Sequence, residues 1–550
     1  MLSTADLPKN WVWMGVSTAG LYLIYFIVKF INHRRFYKNL VRVHPQSHCT
    51  NLPALNEIAN KQKPTPPHSM ILGNLKVVGE AMKRYPPDIH PQPMFTEMGQ
   101  ENNLRGIFYV DLYPFSEPMV FITDPSVANQ AQTSPNFFRH PFVNSFLRGV
   151  VGTKSIFSTN GAEWSRQRSW FAPAFSLAHL LKLVPGMIEE SLVFKEKLTK
   201  FAVSGEVFSM NDATMKLAID FIGRTVGDIH LKSQTQYSPI QDSFAKALSW
   251  TAGQTDPMWK KVLSPLMMDW YTRKLDGMLG EVIKEKYRVG RDDGVEKSIL
   301  DLALKGYLKD TGKSGGAEAV RPDLDPDFMK IALDNAKTFF VGGHDTTASL
   351  MTYLFYYLSI NPTFLSRIRT EHTTVFGPSL STTISTLTSQ PHLLNKLPLT
   401  SALIKEVLRL HPVGFTVRKA APGTTVTFEG RSYPMDNHVI CVLASAMHRD
   451  PEIWERPAEF DPDRFLSPET HSMEAWIPFE KGKRDCIGQQ MATLEVRVMA
   501  VLTVRYFDFE AVFGEHGWSV PGWGGRAYQE LNMSAKPKDG IPMRAYLRSE

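Results

Sequence analysis

Cysteine is almost absent from this chain: three residues in 550, Cys49, Cys441 and Cys486, with no close pair among them. That spacing excludes a disulfide scaffold and a structural zinc site of the CxxC type, and it suits a reducing compartment. Charge of one sign is equally scarce. With 61 basic and 55 acidic residues the net charge is +6, dispersed along the chain, and nothing marks a nucleic-acid binder. No internal repeat recurs, which excludes solenoids and propellers. Long apolar runs are lacking too, with one exception at the amino terminus. The 43% apolar content still supplies a large core, or more than one.

The exception runs uncharged from Trp11 to Val28 and continues through Lys29 to Ile31. As a helix at about 1.5 Å per residue, 11–31 spans roughly 31 Å, enough to cross a bilayer core. Trp11 and Trp13 stand where an interfacial aromatic belt would. A secretory signal would have a shorter apolar core and a small-residue cleavage site. His33, Arg34, Arg35, Lys38 and Arg42 follow instead, which places the rest of the chain on the cytosolic side. The expectation is a short lumenal segment at 1–10, an uncleaved transmembrane anchor at 11–31, and a basic, proline-rich linker at 32–74. A buried core helix is the alternative for 11–31. Residues 75–550 read as one mainly α domain with small β-sheets. Within it, 307–326 reads as a glycine-rich polar link into Asp325-Pro326, an N-cap followed by proline at the first helical position. The helix starting there should run to about Ile360, where Asn361-Pro362 stops it.

Two segments carry chemistry. Phe479-Glu480-Lys481-Gly482-Lys483-Arg484-Asp485-Cys486-Ile487-Gly488 presents one thiolate at the mouth of a tight loop, with glycines that let the backbone bend close to the sulfur. A lone thiolate in such a cradle gives haem iron a sulfur axial ligand, which favours O–O cleavage. Arg484 can reach a haem propionate as a charge-assisted donor. A buried structural cysteine is the bland alternative. The second segment, Gly342-Gly343-His344-Asp345-Thr346-Thr347, weakens the long helix: two glycines cost roughly 2 kcal/mol relative to alanine. A threonine hydroxyl there can also bend the helix by bonding back to it.

Both segments resemble the cytochrome P450 family, whose haem loop and distal helix they match. The resemblance runs from anchor to carboxyl terminus and implies a triangular, mainly helical haem-thiolate fold. It implies that Cys486 ligates the haem iron and that Phe479 flanks the loop. Thr346 then hydrogen-bonds dioxygen or the water beside it, Asp345 feeds protons from solvent, and Gly343 with Gly342 leaves room for O2. Some members carry a haem-esterifying glutamate where this chain has Gly342, so haem b is expected to bind non-covalently. Glu406 and Arg409, spaced i, i+3 on one helix face, and Arg464 after Pro462-Asp463 match a Glu-Arg-Arg cluster with a structural role. Asp463 stands where glutamate is commoner. Trp164 and Arg168, and Arg418 further on, match residues that contact the haem propionates.

The resemblance also implies NADPH-cytochrome P450 reductase as electron source, cytochrome b5 as an accessory donor, and an endoplasmic reticulum membrane. No flavin or dinucleotide segment is found within the chain. The expected reaction is reductive O2 activation and oxidation of a lipophilic substrate: a secondary metabolite such as a polyketide or terpenoid, or a fatty acyl compound. Enzymes that desaturate or rearrange often lose the acid-threonine pair retained here, and a non-catalytic haem sensor has no use for it. Candidate pocket residues are Phe138, Phe142, Phe339, Phe340, Val413 and Phe415, with Phe137, Phe146 and Trp523 behind them.

Overall fold

The computed structural model describes residues 9–39, 64–251, 256–289, 298–312, 324–414, 416–467, 473–532 and 534–548. It is mainly helical with small sheets. The helices that frame the site are α1 (Lys9–Asn39), α2 (Pro141–Val151), α3 (Gly161–Phe171), α4 (Met210–Gly227), α5 (Met258–Val289), α6 (Pro326–Ile360), α7 (Pro398–Leu410) and α8 (Gln489–Thr503). Strands β1 (Ile107–Val110), β2 (Met119–Ile122), β3 (Phe137–Arg139), β5 (Thr416–Ala420) and β8 (Val439–Val442) make a mixed sheet in the order β1-β2-β8-β5-β3. Between them in the chain lie β4 (Phe208–Ser209) and the β6 (Thr425–Phe428), β7 (Arg431–Pro434) hairpin. β9 (Phe507–Ala511) and β12 (Pro542–Leu547) join β4 in a second sheet, while β10 (Gln529–Leu531) pairs with β11 (Ala535–Pro537).

Local signals set α6 as the sequence reading expects. The Asp325 side chain accepts from the Asp327 N–H, Pro326 fills the first turn, and the helix ends at Ile360 before Asn361-Pro362. The helix is continuous through Gly342 and Gly343, and the Thr346 hydroxyl bonds back to the Gly342 carbonyl at 2.5 Å. α6 is buried along most of its length and packs against α4. The glycine-rich link is shorter than expected. A helix, Ile299–Asp310, opens on a Ser298–Asp301 capping box and carries Tyr307 into the core, stacked on Phe328 at 4.3 Å. Salt bridges add a further tie, since buried Lys337 reaches Asp276 of α5 at 2.6 Å.

α1 continues through residues 32–39, which the sequence reading gives to the linker. The physical reason is a docking site. Arg34 is fully buried and pairs with Asp111, just after β1, while donating to the carbonyls of Ile71 (3.1 Å) and Tyr113 (2.7 Å). His33 and His68 each reach the same carboxylate at 2.9 Å, and buried Tyr37 bonds His438 at 3.2 Å. The earlier part of α1 instead exposes Leu21, Tyr22, Ile24, Tyr25 and Val28. Among the described residues no single helix is long and apolar enough to cross a membrane. The side chains of 9–16, including Trp11 and Trp13, lie outside the described ones.

Burial raises the affinity of the Asp111 carboxyl for its proton, but bonds from His33, His68 and Arg34 outweigh it and hold the group well below the usual range. Its stabilisation is therefore present above the ordinary carboxylate value of about 3.9 and is lost as pH falls through and below it. Arg34→Ala leaves this buried acid without its fixed cation and costs about 3 kcal/mol. Denaturant unfolding of the full chain measures it. Removing residues 1–39 has the same effect, whereas removing 1–31 spares the docking site.

Candidate active site

Cys486 ends a loop closed by its own N–H, which donates to the Phe479 carbonyl at 2.9 Å. Gly482 takes a φ of 79°, and a Cβ there would stand 2.6 Å from the Gln132 carbonyl, so glycine is required on both counts. Glu480 also adopts positive φ, turning its side chain toward Arg418. Burial pushes the Cys486 thiol up to about 11, with the Gly488 N–H pulling the other way. A thiol in that state ionises at neutral pH only when a metal takes its proton's place.

The sulfur opens into a cavity of about 300 Å³. α6 roofs it with Phe339, Gly342, Gly343, Thr346 and Thr347, and the loop from Phe479 to Gly488 with the start of α8 floors it. Arginines stand among the mainly apolar residues of the remaining wall. Arg484 donates to the Thr159 carbonyl (2.6 Å) and Asn160 Oδ1 (2.8 Å), lies over the Trp164 ring at 4.5 Å, and keeps a buried Nη1 without a partner. Arg418 pairs with Glu480 at 2.5 Å, leaving its buried Nε unpartnered. Arg168 holds the loop itself, bonding Asp485 Oδ1 at 2.7 Å and the Asp485 carbonyl at 3.1 Å. Its role as seen is to clamp the loop.

A fourth guanidinium was missed by the sequence reading. Arg139 lines the cavity, stacks on Phe157 at 3.8 Å, and meets no carboxylate in an ion pair among the described residues. It lies directly opposite Arg418 in the β3–β5 register. Like charges opposite one another destabilise a sheet, and burial already pushes Arg139 and Arg484 down to about 10. Among the lining residues Arg139, Arg168 and Arg484 outnumber the acids Glu480 and Asp485 by one, and Arg418, bonded to Glu480, adds a further positive charge. A flat group with two carboxylates and a metal that takes one sulfur fits this donor set, and haem is such a group. No local pattern around Arg139 marks it, because its place opposite Arg418 follows from strand pairing.

Asp345 is not brought to the cavity. It is 2% exposed and turns toward the carboxyl-terminal hairpin, where Lys536 reaches its Oδ1 at 2.7 Å and the Ser534 hydroxyl donates to its Oδ2. Gly343 lines the cavity, but a Cβ there would collide with Ile222 of α4, so this glycine serves helix packing. Gly342 meets no atom within 4 Å in the same test and is the one that leaves space.

Glu406, Arg409 and Arg464 lie outside the cavity as a buried lock. Arg409 grips Glu406 through two bonds (2.7 and 2.8 Å) and caps the carbonyls of His448, Pro457 and Glu459. Arg464 adds a longer bond to Glu406 at 3.3 Å. Asp463 faces outward to Arg367 at 2.7 Å, so its departure from glutamate leaves the lock untouched.

Of the pocket candidates, Phe339 and Val413 line the cavity. Phe340 points to the opposite side of α6, against Phe244. Phe138 is adjacent to Arg139 on β3, and strand alternation sends it to the other face. Phe142, in the first turn of α2, is 57% exposed. Phe137 belongs to the core under the sheet, and Trp523 bonds Glu97 at 2.6 Å in a separate cleft. Phe415 and the Phe146 side chain lie outside the described residues.

Comparison with known proteins gives the family and the fold. The family model "Cytochrome P450" matches residues 68–527. Cytochrome P450 monooxygenase acrF of Aspergillus aculeatus is 32% identical, over 84% of this chain and 98% of that protein. Cytochrome P450 monooxygenase polC of Polytolypa hystricis is 29% identical over 90% and 91%. In the fold comparison, the crystal structure of the cytochrome P450DA haem domain overlays with a TM-score of 0.70 at 20% identity, covering 88% of this chain and 97% of that one. The chain belongs to the cytochrome P450 family, as a monooxygenase whose cofactor is thiolate-bound haem and whose electrons come from a redox partner.

Proposed function

We propose that the protein oxidises a lipophilic secondary metabolite, with Cys486 as the haem iron's sulfur ligand. The single observation carrying this is the cavity, whose lining holds one sulfur together with the Arg484 guanidinium, a buried Nη1 of which lacks an acceptor. Arg139, Arg418 and Arg484 would hold the two propionates, with Trp164 supporting Arg484 and Arg168 fixing the loop. Haem on a thiolate supplies reductive O2 activation, with one oxygen atom inserted into substrate and the other leaving as water.

The chain's own residues do the rest. Phe339 and Val413 offer apolar surface to substrate and exclude water. Thr346 presents a hydroxyl at the cavity roof, donated to the Gly342 carbonyl, and would pass protons inward from it. The exposed apolar part of α1 supports an endoplasmic reticulum anchor, with the domain held cytosolic beside an NADPH-dependent reductase.

Reconstitution with reductase, NADPH and isotopically labelled O2 against a panel of polyketides, terpenoids and fatty acyl compounds tests the reading. One labelled oxygen in product supports it, whereas turnover without NADPH refutes it. Thr346→Ala retains the thiolate-haem spectrum and diverts most reducing equivalents to peroxide, lowering product per NADPH by about 10²-fold. A peroxide assay run beside product analysis checks this. Unchanged coupling removes Thr346 from the proton path.

A further inference from the structure

Part of the cavity wall comes from the segment that joins α2 to α3 outside any helix or strand, with Ile156 and Phe157 among the lining residues. Three backbone N–H groups of that segment are taken by two consecutive side chains of α6. One oxygen of Asp334 accepts from Thr153 and from Lys154, each at 3.0 Å, and Asn335 Oδ1 accepts from Ile156 at 2.9 Å. Both side chains are fully buried. Gly152 takes a φ of 73°, and a Cβ there would run into the Asp334 carboxylate, so only glycine allows this approach. The Asn335 amide is fixed in turn. It donates to the Ile331 carbonyl of its own helix at 2.8 Å and to Gln167 of α3 at 3.2 Å. Buried Lys337 at 3.3 Å and half-exposed Lys330 at 2.6 Å balance the Asp334 charge, and Lys337 also carries the tie to Asp276 of α5.

Buried polar groups are tolerated when their bonds are complete, and these two are bonded at both ends. Apolar side chains would join the elements as firmly, but only directed bonds fix where a loop backbone stands. Phe339 of the same helix lines the cavity about one turn beyond Asn335. α6 thus supplies one part of the wall itself and places another. We propose that Asp334 and Asn335 are positioning residues that set how far Ile156 and Phe157 reach toward a substrate, with Lys337 holding the Asp334 carboxylate in place. Neither residue lines the cavity, so both act through the loop. Phe157 also lies under the Arg139 guanidinium at 3.8 Å, which links the loop to one of the cations beside the haem site. Substrate shape is then selected by residues outside the pocket. This deepens the proposed oxidation of a lipophilic compound and rests on it.

The test uses the haem-loaded full chain, with imidazole and phenylimidazole as probes that bind haem iron through the same nitrogen. Only the second carries a ring large enough to press on the wall. In difference-spectrum titrations Asn335→Ala weakens phenylimidazole about ten-fold, the loss of part of a buried ring's contact, and leaves imidazole within about two-fold. In hydrogen exchange read by mass spectrometry, the peptide holding Thr153 to Phe157 exchanges about ten-fold faster, as one lost bond predicts, and the Cys486 loop is unchanged. The reduced-CO band is retained. Asp334→Ala acts the same way at Thr153 and Lys154, whereas Asp334→Asn, whose amide oxygen still accepts from both, keeps most of the protection. Asp276→Asn cuts the tie to α5 without touching the loop. It lowers the unfolding midpoint and moves neither the exchange nor the ligand ratio. Should either α6 position fail to fold when changed, the other carries the test. Unchanged exchange in the loop, equal loss of both ligands, or the same changes in Asp276→Asn overturns the positioning role. A parent that binds both ligands yet oxidises no lipophilic compound sinks the proposed function instead, so the two failures are distinguishable.

Discussion

Cys486→Ala abolishes the absorption band that CO gives with reduced thiolate-ligated haem, and product formation falls below detection. The effect is large because nothing nearby can replace the sulfur. Among the described residues no cluster of three or more His, Cys, Asp or Glu side chains is placed to hold a metal, and Cys441, the other described thiol, is buried on β8. The loop is already built for a sulfur: Gly482 is conformationally required, the Cys486 N–H is spent on closing the turn, and the Gly488 N–H favours the anion. α8 begins at the next residue, so its positive end adds to that stabilisation. The fold survives the substitution, since the Glu406–Arg409 lock and the sheet do not depend on the sulfur. Spectra of the reduced CO complex, taken beside circular dichroism, separate lost ligation from lost folding. A retained band would remove Cys486 from the iron.

Arg409→Ala has the second large effect, on stability. The guanidinium satisfies both oxygens of a fully buried carboxylate and three backbone carbonyls at once. Removing it leaves the buried Glu406 charge with only the longer Arg464 bond and the Asp461 N–H, which costs about 3 kcal/mol. Against a total stability of roughly 5–15 kcal/mol that is enough to prevent accumulation of haem-loaded protein. Arg464→Ala, which loses the 3.3 Å bond and one to the Glu455 carbonyl, costs about 1–3 kcal/mol and folds. Soluble yield, haem content and unfolding midpoint order the variants as parent, Arg464→Ala, Arg409→Ala. Equal midpoints would mean that the lock is not a stability element.

The long helix was legible because its determinants are local. Asp325, Pro326 and Asn361-Pro362 act within a turn of themselves, and α6 starts and stops where they say. The tight turn at Cys486 was legible for the same reason, its glycines and cysteine lying within ten residues. Glu406 and Arg409 could be paired from their spacing, although the spacing alone described a weak surface pair. Burial and three carbonyls turned it into a lock. Residue type without direction misled elsewhere. Phe138, Phe340 and Trp523 are apolar and near the motifs in sequence, but strand alternation, helix face and a distant cleft take them from the cavity.

What the sequence by itself determined is the chemistry on offer: one cysteine in a glycine-bent loop, a threonine hydroxyl returning to its own helix, and caps that start and end the helices. Each depends on contacts a few residues apart. Only the tertiary structure decided which groups share the cavity and which are turned away. Arg139 meets Arg418 through strand register, Asp111 collects Arg34, His33 and His68, and Asp345 faces Ser534 across 189 residues of chain. Those outcomes come from packing between distant segments, where burial sets the strength of each charge and no local pattern records its partner.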